Sequence, residues 1–177
     1  MKDSKLIALS AVATALSVAI MVLGAFVDIF EYSALFCASL CTMLPLAKKS
    51  VKGGVLTGLA TAVLCAIFTV AIKPAMVVFY ALFFGLHPTV NYIIREKNFN
   101  RIIGAILKAV WFVGALLLVY TFFSSFLTEG TILEREDVKK YVYLILTVGG
   151  ALLFIVYDLL MTRFQKFVDM TVARLNL

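Results

Sequence analysis

Six long apolar runs separated by short charged connections are the feature that most constrains this sequence. A helix that crosses a membrane needs about 20 apolar residues, and runs of that order repeat along the 177 residues of the chain. Hydrophobic residues make up 63% of the chain and charged residues 15%, against roughly half and a quarter in an ordinary soluble domain. We therefore predict an all-α polytopic integral membrane protein, a six-helix transmembrane bundle that forms one domain over residues 1–177. The predicted spans are 6–27, 34–47, 55–72, 75–94, 102–127 and 141–161.

Lysine and arginine are concentrated on alternate connections, which predicts the orientation of the bundle. Short cytoplasmic loops carry the excess of these residues. Of the sixteen, Lys108 lies inside a span, and four fall on the poorer side, namely Lys73, Arg135, Lys139 and Lys140. The other eleven share the side of the N terminus: Lys2, Lys5, Lys48, Lys49, Lys52, Arg95, Lys97, Arg101, Arg163, Lys166 and Arg174. Both termini are therefore expected in the cytoplasm, with 163–177 as an amphipathic cytoplasmic tail.

The sequence lacks the common catalytic and cofactor motifs. His87 is the single histidine, and the three cysteines show no metal-ligand spacing. There is no GxSxG, no HExxH and no glycine-rich loop with GK[ST] that could hold nucleotide phosphates. The net charge of +6 sits in clusters between apolar runs, so it indicates topology rather than nucleic-acid binding. We predict no catalytic residue, no metal and no cofactor, and a chain that cannot power transport with nucleotide by itself.

Small residues repeat every four positions in two of the predicted spans. In the first span they are Ala11, Ala15 and Ala19, and in the third they are Gly54, Gly58, Ala62 and Ala66. Small residues let helix backbones approach closely in lipid, where there is little hydrophobic drive between helices. Each stripe predicts either helix packing within the bundle or, for the first span, a flat face offered to a partner protein.

Three ionisable residues lie inside predicted spans, where burial in hydrocarbon is costly. They are His87, Lys108 and Asp158. With a rise of about 1.5 Å per residue, each lies roughly 8 to 12 Å from the cytoplasmic end of its helix. We therefore predict that they can share one layer and that Lys108 can pair with Asp158. The alternative is that Lys108 extends to the membrane surface and Asp158 caps its helix.

A second group of polar and aromatic residues is predicted near the opposite side of the membrane. It consists of Asp28, Glu31, Lys73, Tyr80 and Tyr120. If these residues surround one pocket, their opposite charges and aromatic rings would suit a polar small molecule. The alternative is that each residue is an interfacial anchor or a solvated loop residue.

The whole chain resembles the S components of energy-coupling factor transporters, the small substrate-binding membrane subunits that bacteria use for vitamins. The resemblance rests on the size, the six spans, the AxxxA spacing of helix one, the stretch KKSVKGGVLTGLATA, and FFGLHP before REKNFNR. It implies a multi-pass protein of a bacterial plasma membrane that is surrounded by lipid and binds a small vitamin-like substrate. It further implies docking through Ala11, Ala15 and Ala19 to a transmembrane coupling subunit with two cytoplasmic ATPases, and a pocket in the group of Asp28, Glu31, Lys73, Tyr80 and Tyr120.

Two other functions remain open at the level of sequence. One is a small intramembrane enzyme or lipid-handling protein that uses His87, Lys108 and Asp158. The other is an accessory subunit without a ligand. A pocket open to the outer face favours the binding subunit, whereas an inner polar cavity favours the enzyme.

Overall fold

The computed structural model describes residues 2–128 and 136–174, and every regular element within those ranges is helical. The α-helices are α1 (Lys2–Phe26), α2 (Glu31–Cys41), α3 (Met43–Ala47), α4 (Val51–Thr69), α5 (Pro74–Phe79), α6 (His87–Glu96), α7 (Arg101–Thr128), α8 (Glu136–Lys139) and α9 (Val142–Arg174). A 3-10 turn over Asp28–Phe30 precedes α2, and a π-helical segment over Tyr80–Phe84 joins α5 to α6.

Six helical segments within these ranges are long and apolar enough to cross a membrane, which confirms the predicted helical fold and its six spans. They are Ser4–Phe26, Asp28–Ala47, Val51–Thr69, Pro74–Glu96, Arg101–Ser125 and Val142–Arg174. Large apolar side chains cover the outside of the bundle, and Ile67 and Leu153, for example, are 69% and 67% exposed. Such an exterior suits lipid, which solvates apolar side chains.

The helix boundaries differ from the predicted ones at two places that have a clear local cause. The third span starts at Val51 because the Ser50 hydroxyl accepts a hydrogen bond from the Gly53 amide at 3.0 Å and so caps the helix. The segment predicted as a separate tail continues α9 as far as Arg174. No glycine or proline lies between residues 151 and 174, so no helix-breaking residue interrupts α9 there. Residues 175–177 of the predicted tail lie outside the described residues.

The fourth span contains a π-helical segment between its two α-helices. Pro74 begins α5 at a position where its missing amide hydrogen leaves no donor unsatisfied. In the π segment the Gly85 amide donates to the Tyr80 carbonyl at 2.8 Å, five residues back. This wide turn carries Tyr80 and Phe83 into the centre of the bundle, where both are fully buried.

An aromatic core surrounds the π segment. The Phe83 ring lies 4.9 Å from both the Trp111 and the Phe112 rings of α7. It also lies 5.7 Å from the Tyr157 ring of α9. These edge-on and tilted contacts hold the fourth span against α7 and α9.

The first half of the bundle is held by small residues and hydroxyl groups. The Ser17 hydroxyl of α1 donates to the Ala38 carbonyl of α2 at 2.9 Å. Gly58 of α4 meets the backbone of Gly85, so closely that a Cβ atom at Gly58 would overlap the Gly85 carbonyl group. Gly54, Gly58 and Ala62 are buried, so the stripe of the third span serves packing within the bundle.

We predict that Gly58→Ala destabilises the protein, whereas Gly114→Ala does not. The new methyl group at Gly58 would collide with backbone, which cannot rotate away, and overpacking of this kind costs about 1 to 3 kcal/mol. A Cβ at Gly114 meets no atom within 4 Å, so alanine there is neutral or adds up to about 1 kcal/mol of helix propensity. Thermal unfolding in detergent, followed by the fluorescence of the single tryptophan, measures both variants. Equal melting temperatures would contradict the close contact between α4 and Gly85.

Candidate functional site

A buried polar cluster links α6, α7 and α9. The Lys108 ammonium donates to Asp158 Oδ1 at 2.5 Å, and His87 Nε2 lies 3.1 Å from the same oxygen. Lys108 also donates to Asn91 Oδ1 at 2.8 Å, and the Asn91 amide group donates to the Thr162 hydroxyl at 3.4 Å. One carboxylate oxygen is therefore the common partner of groups from two other helices.

Helical spacing explains how these side chains meet. His87 and Asn91 lie four residues apart on α6, and Asp158 and Thr162 lie four residues apart on α9. Residues at this spacing share one face of a helix. Lys108 reaches between the two faces from α7 and is only 5% exposed. The cluster is thus the meeting of two short polar faces around one lysine.

The structure places the three predicted residues of the polar layer together. Lys108 points to Asp158 inside the bundle, so it does not extend toward the membrane surface as the alternative required. Asn91 and Thr162 were not predicted from the sequence. The sequence contains the information needed to find them, because each is a polar residue that follows a predicted cluster residue by one helical turn.

His87 has an unusual environment. Its side chain is fully buried, and its ring lies 4.9 Å from the Phe83 ring and 4.8 Å from the Tyr157 ring. While Nε2 faces Asp158, Nδ1 has no hydrogen-bond partner among the described residues. Aromatic rings therefore fix this imidazole at the inner edge of the cluster.

A cavity of about 630 Å³, the basic cavity, opens beside the cluster between α6, α7 and α9. The buried Lys108 and the partly buried Asp158 line one side of it. Its other charged lining residues are Arg95, Arg101, Arg163 and Lys166. Among these, Arg95 is paired with Asp169 at 2.9 Å. The cavity therefore connects a partly buried carboxylate to a positive rim.

A second ionic group, the loop ion cluster, lies where the connection from α1 to α2 meets the connection from α4 to α5. Lys73 Nζ lies 2.8 Å from Asp28 Oδ1 and 3.0 Å from Glu31 Oε2. Hydrogen bonds to these two carboxylates, Asp28 first, raise the pKa of the Lys73 ammonium. The Asp28 side chain is 86% exposed, whereas that of Glu31 is 14% exposed. Lys73 thus ties two separate connections together.

A smaller cavity of about 80 Å³ lies next to this cluster. Of the five residues predicted for the outer site, Glu31 and Tyr120 line it, among mainly apolar neighbours. The Tyr120 ring stacks edge-on against Tyr143 at 5.6 Å. Tyr80 does not line this cavity, because the π segment turns its side chain into the core. The structure therefore brings Asp28, Glu31 and Lys73 into contact, sets Tyr120 near them, and leaves Tyr80 apart.

The alanine stripe of α1, which comprises Ala11, Ala15 and Ala19, faces away from the bundle. All three alanines are exposed. The buried face of α1 is a different one, on which Ala13, Ser17 and Met21 are fully buried. Packing within the chain therefore does not use the alanine stripe.

Comparison with known proteins found no protein-family model, no curated protein and no solved structure that matches this chain. A search of the described residues also found no group of three or more histidine, cysteine, aspartate or glutamate side chains that could hold a metal ion.

We predict strong coupling between Asp158 and Lys108 in a double-mutant cycle. Asp158→Asn leaves the Lys108 ammonium buried without its carboxylate, a change that typically costs about 3 to 5 kcal/mol. In a Lys108→Met background the same substitution costs less, because no unpaired charge is left behind. Coupling between contacting residues amounts to about 0.5 to 3 kcal/mol, and thermal unfolding in detergent measures it.

Asp169→Asn is the matched control on the same helix. Its carboxylate pairs with the partly exposed Arg95, and an exposed ion pair contributes only about 0 to 1 kcal/mol. The hydrogen bond that Asp169 accepts from Gln165 can be kept, because the amide oxygen of asparagine is also an acceptor. Additive effects of the substitutions at Asp158 and Lys108 would show that the two side chains do not interact.

Proposed function

We propose that this chain is the membrane-embedded substrate-binding subunit of a micronutrient importer of the energy-coupling factor type. It works with a transmembrane coupling subunit and two cytoplasmic ATPases, which supply the energy that this chain has no nucleotide motif to provide. The observation that carries the proposal is the outward position of the alanine stripe on α1. A stripe of small residues on the outside of a bundle suits the close approach of a helix from another membrane protein.

The contrast between the two predicted stripes supports this assignment. Gly54, Gly58 and Ala62 of α4 are buried, and Gly58 touches the backbone of the fourth span. The alanines of α1 have no such packing role. Their exposed neighbours Val12 and Leu16 are large apolar residues, which lipid solvates well, so contact with lipid does not explain the small residues. A partner helix accounts for small residues on an exposed face, whereas packing within the chain does not.

We place the substrate site at the loop ion cluster, at the opposite end of the bundle from the basic cavity. The cavity beside Glu31 and Tyr120 has a volume of about 80 Å³. Small-molecule sites typically have volumes of about 300 to 1,000 Å³, so this cavity must enlarge before it can hold a substrate. In our proposal the substrate enters this cavity when the bonds from Lys73 to Asp28 and Glu31 part and the two connections separate. Lys73 then offers a positive charge to the substrate, and Tyr120 offers an aromatic face.

The proposed orientation places both termini and the basic cavity in the cytoplasm of a bacterial cell. The eleven-to-four distribution of lysine and arginine supports it. The loop ion cluster then faces outward, where a substrate arrives.

We predict that the start of α4 at Lys52 and the connection at Lys97 are cytoplasmic and that Lys140 is on the outer side. The test uses single cysteines at these exposed positions, in a background in which Cys37, Cys41 and Cys65 are replaced by alanine. In intact cells an impermeant maleimide is expected to label Lys140→Cys only, and the other two variants are expected to react after the membrane is opened. Asn98 is avoided as a labelling position because its φ of 48° makes substitution there a source of strain. Labelling of Lys52→Cys from outside would reverse the proposed orientation.

We predict that Ala15→Leu abolishes co-purification of a membrane partner and its ATPases without lowering the stability of this chain. Leucine at position 15 points into lipid in the isolated protein, but it would keep a partner helix from approaching closely. The measurements are the melting temperature of the purified variant and the recovery of partner subunits from native membranes.

Two residues of the same helix provide controls. Ala13 is fully buried, so Ala13→Leu is expected to lower the stability of the chain itself by about 1 to 3 kcal/mol. Val12 lies on the same exposed face and already carries a large side chain, so Val12→Leu adds only one methylene group and is expected to change neither stability nor partner recovery. Equal recovery of partners with wild type and Ala15→Leu would refute docking through the stripe.

A second candidate function is a small intramembrane enzyme or lipid-handling protein that uses His87, Lys108 and Asp158. The basic cavity is the observation that favours it, since Lys108 and Asp158 line a space large enough for a substrate. The carboxylate is within hydrogen-bond distance of both His87 and Lys108, as proton transfer requires. This candidate needs no coupling subunit. Absence of any partner from wild-type membranes would therefore favour it over the importer.

A further inference from the structure

We propose that the basic cavity binds a phosphate-bearing anion. The site is distinct from the substrate site proposed above, because it lies at the other end of the bundle and shares no residue with the loop ion cluster. Every residue that lines it belongs to this chain, so binding there does not require a coupling subunit.

The charges that line the basic cavity do not balance. Of its five basic side chains, Lys108 is paired with Asp158 and Arg95 with Asp169. The remaining three are Arg101, Arg163 and Lys166. Among the described residues these three have no hydrogen-bond or ion-pair partner. Uncompensated positive charge around a concave surface focuses the electric field and attracts anions.

The type and placement of these three side chains suit phosphate. Arg101 is the first residue of α7, whereas Arg163 and Lys166 lie three residues apart on α9, so the cavity is approached from two helices. A guanidinium group binds phosphate oxygens through two parallel hydrogen bonds, and lysine adds a point charge. Two backbone amides at the N terminus of α7, those of Ile102 and Ile103, already donate to Asn100 Oδ1 and so are not available to an anion. The arginine and lysine side chains must therefore hold the anion.

Apolar residues of the same cavity indicate that the ligand is larger than inorganic phosphate. Ile94, Phe99, Ala105 and Leu159 line the cavity together with the basic residues. Its volume of about 630 Å³ also leaves space beside a bound phosphate group. The ligand class is therefore a phosphate ester with an apolar part. Two sources provide this chemistry, namely the headgroup of an anionic lipid and a water-soluble phosphate ester.

A second basic group at the same end of the bundle shows that charge alone does not make this site. Lys48 and Lys49 lie in the connection from α3 to α4, and Lys52 lies in the first turn of α4, but they line neither of the two cavities described above. They provide a control with the same charge in the same aqueous layer.

The test measures ligand-induced stabilisation of the full chain in two arms. In the first, inorganic pyrophosphate is titrated onto the detergent-solubilised protein. In the second, the protein is placed in nanodiscs of phosphatidylcholine with and without phosphatidylglycerol. The melting temperature is recorded in both arms for the wild type, for Arg101→Gln with Arg163→Gln, and for the control Lys48→Gln with Lys52→Gln.

We expect a rise in melting temperature in at least one arm. The double arginine variant should weaken the apparent affinity at least about tenfold, since each lost charge-assisted hydrogen bond costs about that factor. The lysine control should behave as the wild type does. A response to phosphatidylglycerol alone identifies the lipid as the source, and a response to pyrophosphate identifies a soluble ligand.

Two results would overturn the proposal. One is the absence of stabilisation in both arms, and the other is an equal loss in the lysine control, which would indicate general attraction to a basic surface. If the double variant does not fold, Arg163→Lys replaces it. This variant keeps the charge but removes the paired hydrogen bonds, so it should still weaken binding if the guanidinium contacts the phosphate.

Discussion

The carboxylate of Asp158 is the interaction on which the second half of this bundle depends. In lipid, the exposed faces of helices gain nothing by leaving an apolar solvent, so the hydrophobic effect does little to choose which helices meet. A buried charge, in contrast, has few acceptable positions, because an unpaired ion in such surroundings is very costly. By accepting hydrogen bonds from Lys108, and by lying beside His87, Asp158 fixes α9 against both α7 and α6. The aromatic core around Phe83 packs next to this polar contact and adds ring contacts with the same two helices, α7 and α9.

The first half of the bundle uses close approach instead of charge. Gly58 lies against the Gly85 backbone, and hydroxyl groups such as that of Ser17 donate to carbonyls on neighbouring helices. The two kinds of contact meet on the fourth span. Gly85 contacts α4, and His87, two residues further on, contacts α9. This short stretch therefore joins the two halves of the fold.

Much of this arrangement could be predicted from the sequence, for reasons that differ between the parts. The six spans followed from apolar length, because only helices and closed barrels satisfy backbone groups in lipid. The layer of His87, Lys108 and Asp158 followed from their depth, since the rise per residue is constant along a helix. The position of Tyr80 could not be predicted, because a π-helical turn depends on tertiary contacts and shifts the direction of every side chain after it. The basic cavity was also hidden, because Arg101 and Arg163 are distant in sequence and looked like ordinary cytoplasmic charges.

The π-helical segment has a consequence for how such a site can arise. A π turn holds one more residue than an α-helical turn, and one residue corresponds to a rotation of about 100° around the helix axis. The extra residue between Tyr80 and Gly85 thus shifts the faces on which His87 and Asn91 lie by about that angle, compared with an uninterrupted α-helix of the same sequence. Insertion or deletion of a single residue could then swing these side chains toward Lys108 or away from it while the span kept its composition and its length across the membrane. In a fold of this kind, the contacts between polar side chains can be changed by inserting or deleting one residue, without substitution of any polar residue.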